Sequence, residues 1–323
     1  MTLASAPPRI VLAMALAGVA FAPAPADSRA ELRQMSSPRV LKVGPGEDYA
    51  KPSDAAASVR SGDTVEIAPG VYSDCAVWRP DRLTIEGQGV TIANKTCSDK
   101  GLFVVSGNNV VIRGITFRGA AVRDHNGAGI RAEGANLTVE NSKFIENETG
   151  ILSNSVAGST IIVRDSTFQG NGACSGLCAH GIYAGRIALL RVEHSRFIDQ
   201  HHGHHIKSRA ARTEIVDNDI QDGPTGNSSY LIDVPNGGTV VVSGNRLEKG
   251  PHSENRSAAI VIGEEAKKKG SNPSEGIHIE NNSFISDLPG ETVFVRNFST
   301  AKVELIANRL QGKVNALQVA SRR

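Results

Sequence analysis

Apolar and polar residues alternate along most of this chain for four or five positions. The run then breaks at a short polar residue and resumes with a single Phe, Leu or Ile. The phrase recurs at residues 110–117, 137–144, 161–168, 190–197, 215–220, 241–247, 277–284 and 303–310. Its last residues, Phe117, Phe144, Phe168, Phe197, Ile220, Leu247, Phe284 and Leu310, are separated by 27, 24, 29, 23, 27, 37 and 26 residues. Period-two alternation predicts short strands, and a repeat of twenty to thirty residues predicts a solenoid whose coils bury apolar positions only against their neighbours. The leucine framework of leucine-rich repeats is missing, and a sandwich or barrel has no need of such regular phrasing.

Two polar columns follow from this register. Ser142, Ser166, Ser195, Asn218, Asn245, Asn282 and Asn308 share one turn position, where short polar side chains can bond from coil to coil. The residues just before them and before Ile115 (Gly114, Asn141, Asp165, His194, Asp217, Gly244, Asn281 and Ala307) are mostly types that tolerate left-handed backbone. His194 is therefore expected to serve a turn.

Each coil also carries a second strand, centred on Ile130, Ile151, Ile182, Ile206, Ile232 and Ile260. With the isoleucines buried, the residues after them (Arg131, Leu152, Tyr183, Lys207, Asp233 and Val261) should form an outward ladder about 4.8 Å from coil to coil. The residues two positions before the isoleucines, among them Thr149, His180, His204 and Tyr230, are assigned to the same outward face. The polar members of both columns peak in the same three coils, next to the run His201-His202-Gly203-His204-His205.

Aromatics make up only 4% of the chain while glycines number 33, which suits short strands and tight turns. The net charge of +2 and the lack of a long basic block argue against nucleic acid as a partner. At the start, Arg9, the apolar residues 10–22 and the small residues Ala22, Ala24 and Ala26 predict a signal peptide over 1–26 and a flexible lead-in over 27–39. The rest, 40–323, reads as one domain. The leader predicts a secreted or periplasmic bacterial protein with no membrane attachment after cleavage. Export makes disulfides admissible, and the four cysteines are expected to pair as Cys75 with Cys97 and Cys174 with Cys178.

The N-terminal part of the domain carries a resemblance. It begins Lys42-Val43-Gly44-Pro45-Gly46, continues through a small helix expected over 52–60, then Gly62-Asp63-Thr64-Val65, Pro69-Gly70-Val71-Tyr72 and Leu83-Thr84-Ile85-Glu86-Gly87. This series resembles the first coils of the right-handed parallel β-helix superfamily that contains pectate lyases and related polysaccharide enzymes. The resemblance implies an all-β, right-handed parallel β-helix solenoid with the small helix capping its open N-terminal end. It also implies chemistry on acidic sugars, done in that superfamily either by Lys or Arg with Ca²⁺ or by Tyr and His without metal.

The candidate catalytic residues are His180, Tyr183, His204, Lys207 and Tyr230, with Arg131, Arg209, Asp233 and His202 as candidate substrate contacts. β-Elimination of a uronate needs a cation to neutralise the carboxylate, a base for the C5 proton and an acid for the leaving O4. C5-epimerisation shares its first half. As an exposed patch, these residues would supply Lys207 and Arg209 as clamps or Lys207 as base, His204 or His180 as base, and Tyr183 or Tyr230 as acid. The partner expected is an acidic polysaccharide or oligosaccharide. A glycoside hydrolase would need two carboxylates, and only Asp233 stands on the ladder; Asp199, Asp217, Asp219 or Asp222 would have to join it from the turns. A surface or periplasmic carbohydrate-binding module, with Tyr183 and Tyr230 as stacking platforms, is the non-catalytic alternative. No cofactor is expected. The metal reading would place Zn²⁺ on His180, His202 and His204, or Ca²⁺ as in part of the superfamily. The charged insertion over 264–274 accounts for the 37-residue step and is expected as a loop on the rim of the groove.

Overall fold

The computed structural model describes residues 1–2 and 37–320. The signal peptide expected over 1–26 and most of the 27–39 lead-in lie outside the described residues, apart from 1–2 and 37–39. From Val40 onward the chain winds through a nineteen-stranded and a ten-stranded sheet, both built from parallel pairs, with an additional two-stranded hairpin. A typical coil gives Thr160–Arg164 and Thr167–Gln169 to the larger sheet and Ile182–Ala184 to the smaller. The helix Pro52–Ser58 buries Ala55 in the core and ends where Val59 returns to extended backbone.

The register is the one the repeat predicts. Phe117, Phe144, Phe168, Phe197, Ile220, Leu247, Phe284 and Leu310 pair in succession along the larger sheet. The phenylalanines stack face to face, with centroids 5.2, 4.6 and 4.5 Å apart from Phe117 to Phe197. Their rings leave no room above: a Cβ added to Gly129 would sit 2.9 Å from the Gly150 carbonyl oxygen and 2.9 Å from Phe144. Glycine at 129 is thus a packing requirement, as it is at 150, where an added Cβ would sit 2.8 Å from Phe168.

The polar turn column is a continuous ladder. The backbone N–H of Ser142 donates to Ser166 Oγ at 3.1 Å, Ser166 to Ser195 at 3.1 Å, Ser195 to Asn218 at 2.8 Å and Asn218 to Asn245 at 2.9 Å. Asn245 continues to Asn282 at 2.9 Å and Asn282 to Asn308 at 3.1 Å. Every residue of the preceding column, from Gly114 to Ala307, has positive φ, and His194 with φ 48° is among them. Cys75 is bonded to Cys97 and Cys174 to Cys178, as paired from the sequence. Among the described residues no helix is long and apolar enough to cross a membrane.

Candidate functional site

The smaller sheet sets Arg131, Leu152, Tyr183, Lys207, Asp233 and Val261 side by side on adjacent coils. Strict alternation would turn His204 to the opposite face from Lys207. The chain avoids this with two consecutive inward residues: His205 is buried against the Phe197 ring and Ile206 follows it into the core. The neighbouring coils repeat the device with Leu231 and Ile232, and with Ala259 and Ile260. His180, His204 and Tyr230 therefore join the outer face, as expected, through a bend in each coil.

These three rings form a stack. His180 and His204 lie 4.8 Å apart and 9° from parallel, and His204 and Tyr230 5.1 Å apart and 5° from parallel. Each imidazole Nδ1 accepts the backbone N–H of the next coil: His204 N donates to His180 at 3.0 Å and Tyr230 N to His204 at 3.0 Å. A backbone N–H can only donate, so Nδ1 must be unprotonated and a neutral ring carries its proton on Nε2. Burial lowers both imidazoles well below their usual range, helped by Lys207 and Arg209 at His180, and by His180 and Lys207 at His204. Both rings are therefore neutral Nε2–H donors. In each ring the Nδ1 lone pair already holds the neighbouring backbone N–H.

The same face carries the cations. Lys207 Nζ lies 2.7 Å from Asp233 Oδ2, and His204 Nε2 lies 3.3 Å from the same oxygen. Burial raises the Asp233 carboxyl despite the pull of Lys207, and its Oδ1 is buried without a hydrogen-bond partner. Arg209 donates through Nε to Tyr183 Oη at 2.8 Å, through Nη1 to Asn236 Oδ1 at 2.6 Å and through Nη2 to Glu265 Oε2 at 2.8 Å. Lys207 is thus paired with Asp233 on the ladder, its Nζ facing the carboxylate. Tyr183 meets His180 edge to face at 5.3 Å and stays half-buried. Burial and the negative charge of Glu264 raise the Tyr230 phenol above its usual range.

The expected exposed patch is in fact mostly enclosed: His180, His204, Arg209, Tyr230 and Asp233 are all buried. The rings cover one another in the stack, and Tyr230 packs on Ala258, Val261 and Val293. Glu265 of the insertion expected on the rim reaches across to Arg209 and to within 3.7 Å of Lys207. Glu265 is a functional candidate that the repeat register could not supply, since it lies in a segment that departs from the repeat. It also brings a second carboxylate near Lys207, though each acid is neutralised by a cation.

Other candidates fall elsewhere. Arg131 sits two coils from Tyr183 and donates to Asn154 at 3.0 Å. His202 has left-handed backbone, as does Gly203, so the alternation that would align His202 with His204 is broken. Its Nδ1 instead lies 2.9 Å from Glu254. The proposed metal triad of His180, His202 and His204 is thereby dispersed, with two of its Nδ1 atoms taken by backbone. Among the described residues the metal-type group with close ligand atoms is Cys174, His202 and Glu254, and the Cys174 sulfur is committed to its disulfide. Asp199 accepts from Thr225, Asp217 faces His194, and Asp219 faces Arg196 and Arg246. Asp222 is buried against His205 at 3.0 Å. None of the four reaches the ladder. Next to Asp222, Lys249 is wholly buried, donates to the Ser229 carbonyl at 2.6 Å and is lowered by burial to about 8.

A description of the right-handed β-helix region matches residues 53–181. No curated protein sequence matches the chain. Among solved structures it is similar to the A-module of a mannuronan C-5 epimerase from Azotobacter vinelandii, at 14% identity over 84% of this chain and 94% of that one, with TM-score 0.47. It is also similar to an alginate lyase from Paenibacillus, at 14% identity over 86% and 99% of the two chains, with TM-score 0.43. An α-1,3-glucanase catalytic unit from Streptomyces thermodiastaticus gives 14% identity over 83% and 65%, with TM-score 0.36. Residues 53–181 thus match the right-handed β-helix region, and the same stacked parallel coils continue as a β-solenoid through Val319.

Proposed function

We propose that this is an exported enzyme that abstracts the C5 proton of a uronate residue in an acidic polysaccharide, the step shared by β-elimination and C5-epimerisation. The observation that carries the reading is the contact of Arg209 Nε with Tyr183 Oη at 2.8 Å, beside Lys207 on the same face. Lys207 and Arg209 neutralise the uronate carboxylate, which acidifies the C5–H bond. Tyr183 is the proton-transfer group, its oxygen held by a donor that cannot itself take the proton. His180 and His204 donate Nε2–H bonds to charge that develops on the carboxylate. In elimination the C5–H electron pair forms the C4–C5 double bond as the C4–O4 bond breaks and O4 takes a proton. In epimerisation the proton returns to C5 from the opposite face.

The enclosure of His180, His204 and Tyr230 supports a second reading, a module that holds an acidic glycan without converting it. A panel of uronate polymers separates the two. Absorbance of unsaturated product or epimer signals in NMR, lost in Tyr183→Phe, supports the enzyme. Binding without either signal across the panel supports the module.

A further inference from the structure

We infer that Lys207 and Arg209 form a carboxylate seat for which Glu265 is the resident occupant, and that a uronate carboxylate takes it by displacing Glu265 as the strap of residues 264–275 lifts. The inference rests on the proposed uronate chemistry for the identity of the incoming group, and on the strap's own geometry for the displacement.

Three observations converge on it. First, Glu265 engages both cations, with Oε2 2.8 Å from Arg209 and Oε1 3.7 Å from Lys207. Burial opposes its charge, yet hydrogen bonds from Lys269 and Arg209 and the charge of Lys207 hold it down to about 2. With Asp233 already on Lys207, a carboxylate in this position holds the Arg209 contact that an incoming one would need, so the two compete for it.

Second, polar contacts anchor the strap among the described residues. Asn272 donates to the Ala210 carbonyl at 2.8 Å, Ser274 to the Gly238 carbonyl at 2.7 Å, and Asn236 to the Gly270 carbonyl at 2.5 Å. No strap residue belongs to either apolar cluster of the described chain. Segments of this kind open at far lower free energy than the core, since lifting them exposes little apolar surface.

Third, there is room for the motion. A cavity of about 630 Å³ separates strap residues Ala266, Asn272 and Ser274 from Phe298, Ser299 and Thr300 on the following turn. The strap leaves the sheet at Gly263 with φ 79° and turns again at Gly270 with φ 84°, both left-handed positions that glycine occupies without strain.

The test is Glu265→Gln in the full chain, with Glu265→Asp as a charge-retaining comparison and Glu275→Gln as a control on the same strap. Amide exchange should rise several-fold across 264–275 in Glu265→Gln without ligand. Calorimetric affinity for a galacturonate or mannuronate hexamer should tighten about tenfold, because the hexamer no longer competes with an internal anion. Glu265→Asp should fall between, Glu275→Gln should match the parent protein, and Arg209→Gln should bind no hexamer. Unchanged exchange in Glu265→Gln overturns the displacement, whether or not uronates bind. Raised exchange with no hexamer binding by any variant leaves the strap movable and overturns the uronate reading of the seat.

Discussion

Arg209 and Tyr183 sit on neighbouring coils and meet head to tail, the guanidinium Nε donating to the phenolic oxygen at 2.8 Å. Two further arms of the same guanidinium reach Asn236 and Glu265. One planar group thus ties together the ladder, a turn and the strap. Tyr183→Phe should cut turnover by about 10²–10⁴-fold while leaving affinity for a uronate oligomer nearly intact. Arg209→Lys keeps the charge but cannot bond in three directions. Its kcat should fall with KM changed less, and steady-state kinetics on one polymer distinguish the two effects.

The imidazole stack makes a prediction about acid. His180 and His204 are held neutral well below the usual imidazole range by burial first and the nearby cations second. In the unfolded chain they take up protons near 6.5, so below that pH the unfolded state binds more protons than the folded one. The stability they contribute is complete above about 6.5 and is lost as pH falls from there towards their folded values. Chemical denaturation between pH 7 and 5 should show this loss, and a His180→Asn, His204→Asn double variant should flatten it. Any acid limb of turnover between pH 5 and 7 should survive in either single variant that retains activity.

Glu248 predicts the opposite slope. Burial, with Asp222 and Asp287 nearby, raises it from 4.5 to about 7. The folded state therefore binds the extra proton between these values, and stability falls as pH rises through that window by roughly 3 kcal/mol. Glu248→Gln should remove this fall, so the variant is more stable than the parent at pH 8 and differs little at pH 4. Urea midpoints at the two pH values measure it.

Asn245 tests the turn ladder. Its side chain accepts from the Asn218 backbone and donates to the Ile215 and Ser243 carbonyls and to Asn282, all while buried. Asn245→Ala strands several buried partners at once and should cost about 2–4 kcal/mol. Asn245→Ser, the residue type that Ser195 uses at the same position, should cost less in thermal unfolding.

The scaffold was legible because it repeats. One phrase located Phe117 through Leu310 and the Ser and Asn column, since the same physical demand recurs in every coil. The left-handed column was legible for the same reason, down to His194 at φ 48°. The site was legible only in part. The ladder placed Tyr183 beside Lys207, but alternation alone could not anticipate that His205 and Ile206 both turn inward. Nor could it tell that each imidazole spends Nδ1 on the next backbone. Glu265 was out of reach, because it approaches Arg209 across 56 residues of sequence from a segment outside the repeat.

The bond between Asn245 and Asn282 spans the longest interval in the turn column, 37 residues, at the same 2.9 Å as a step of ordinary length. The excursion that carries Glu265 is therefore mechanically silent to the column beneath it. Length can be added or removed there without disturbing the stacking of adjacent coils. A lineage, or a designer, can rewrite what stands over Lys207 and Arg209 while inheriting the frame unchanged, so ligand preference in this architecture can drift faster than its shape.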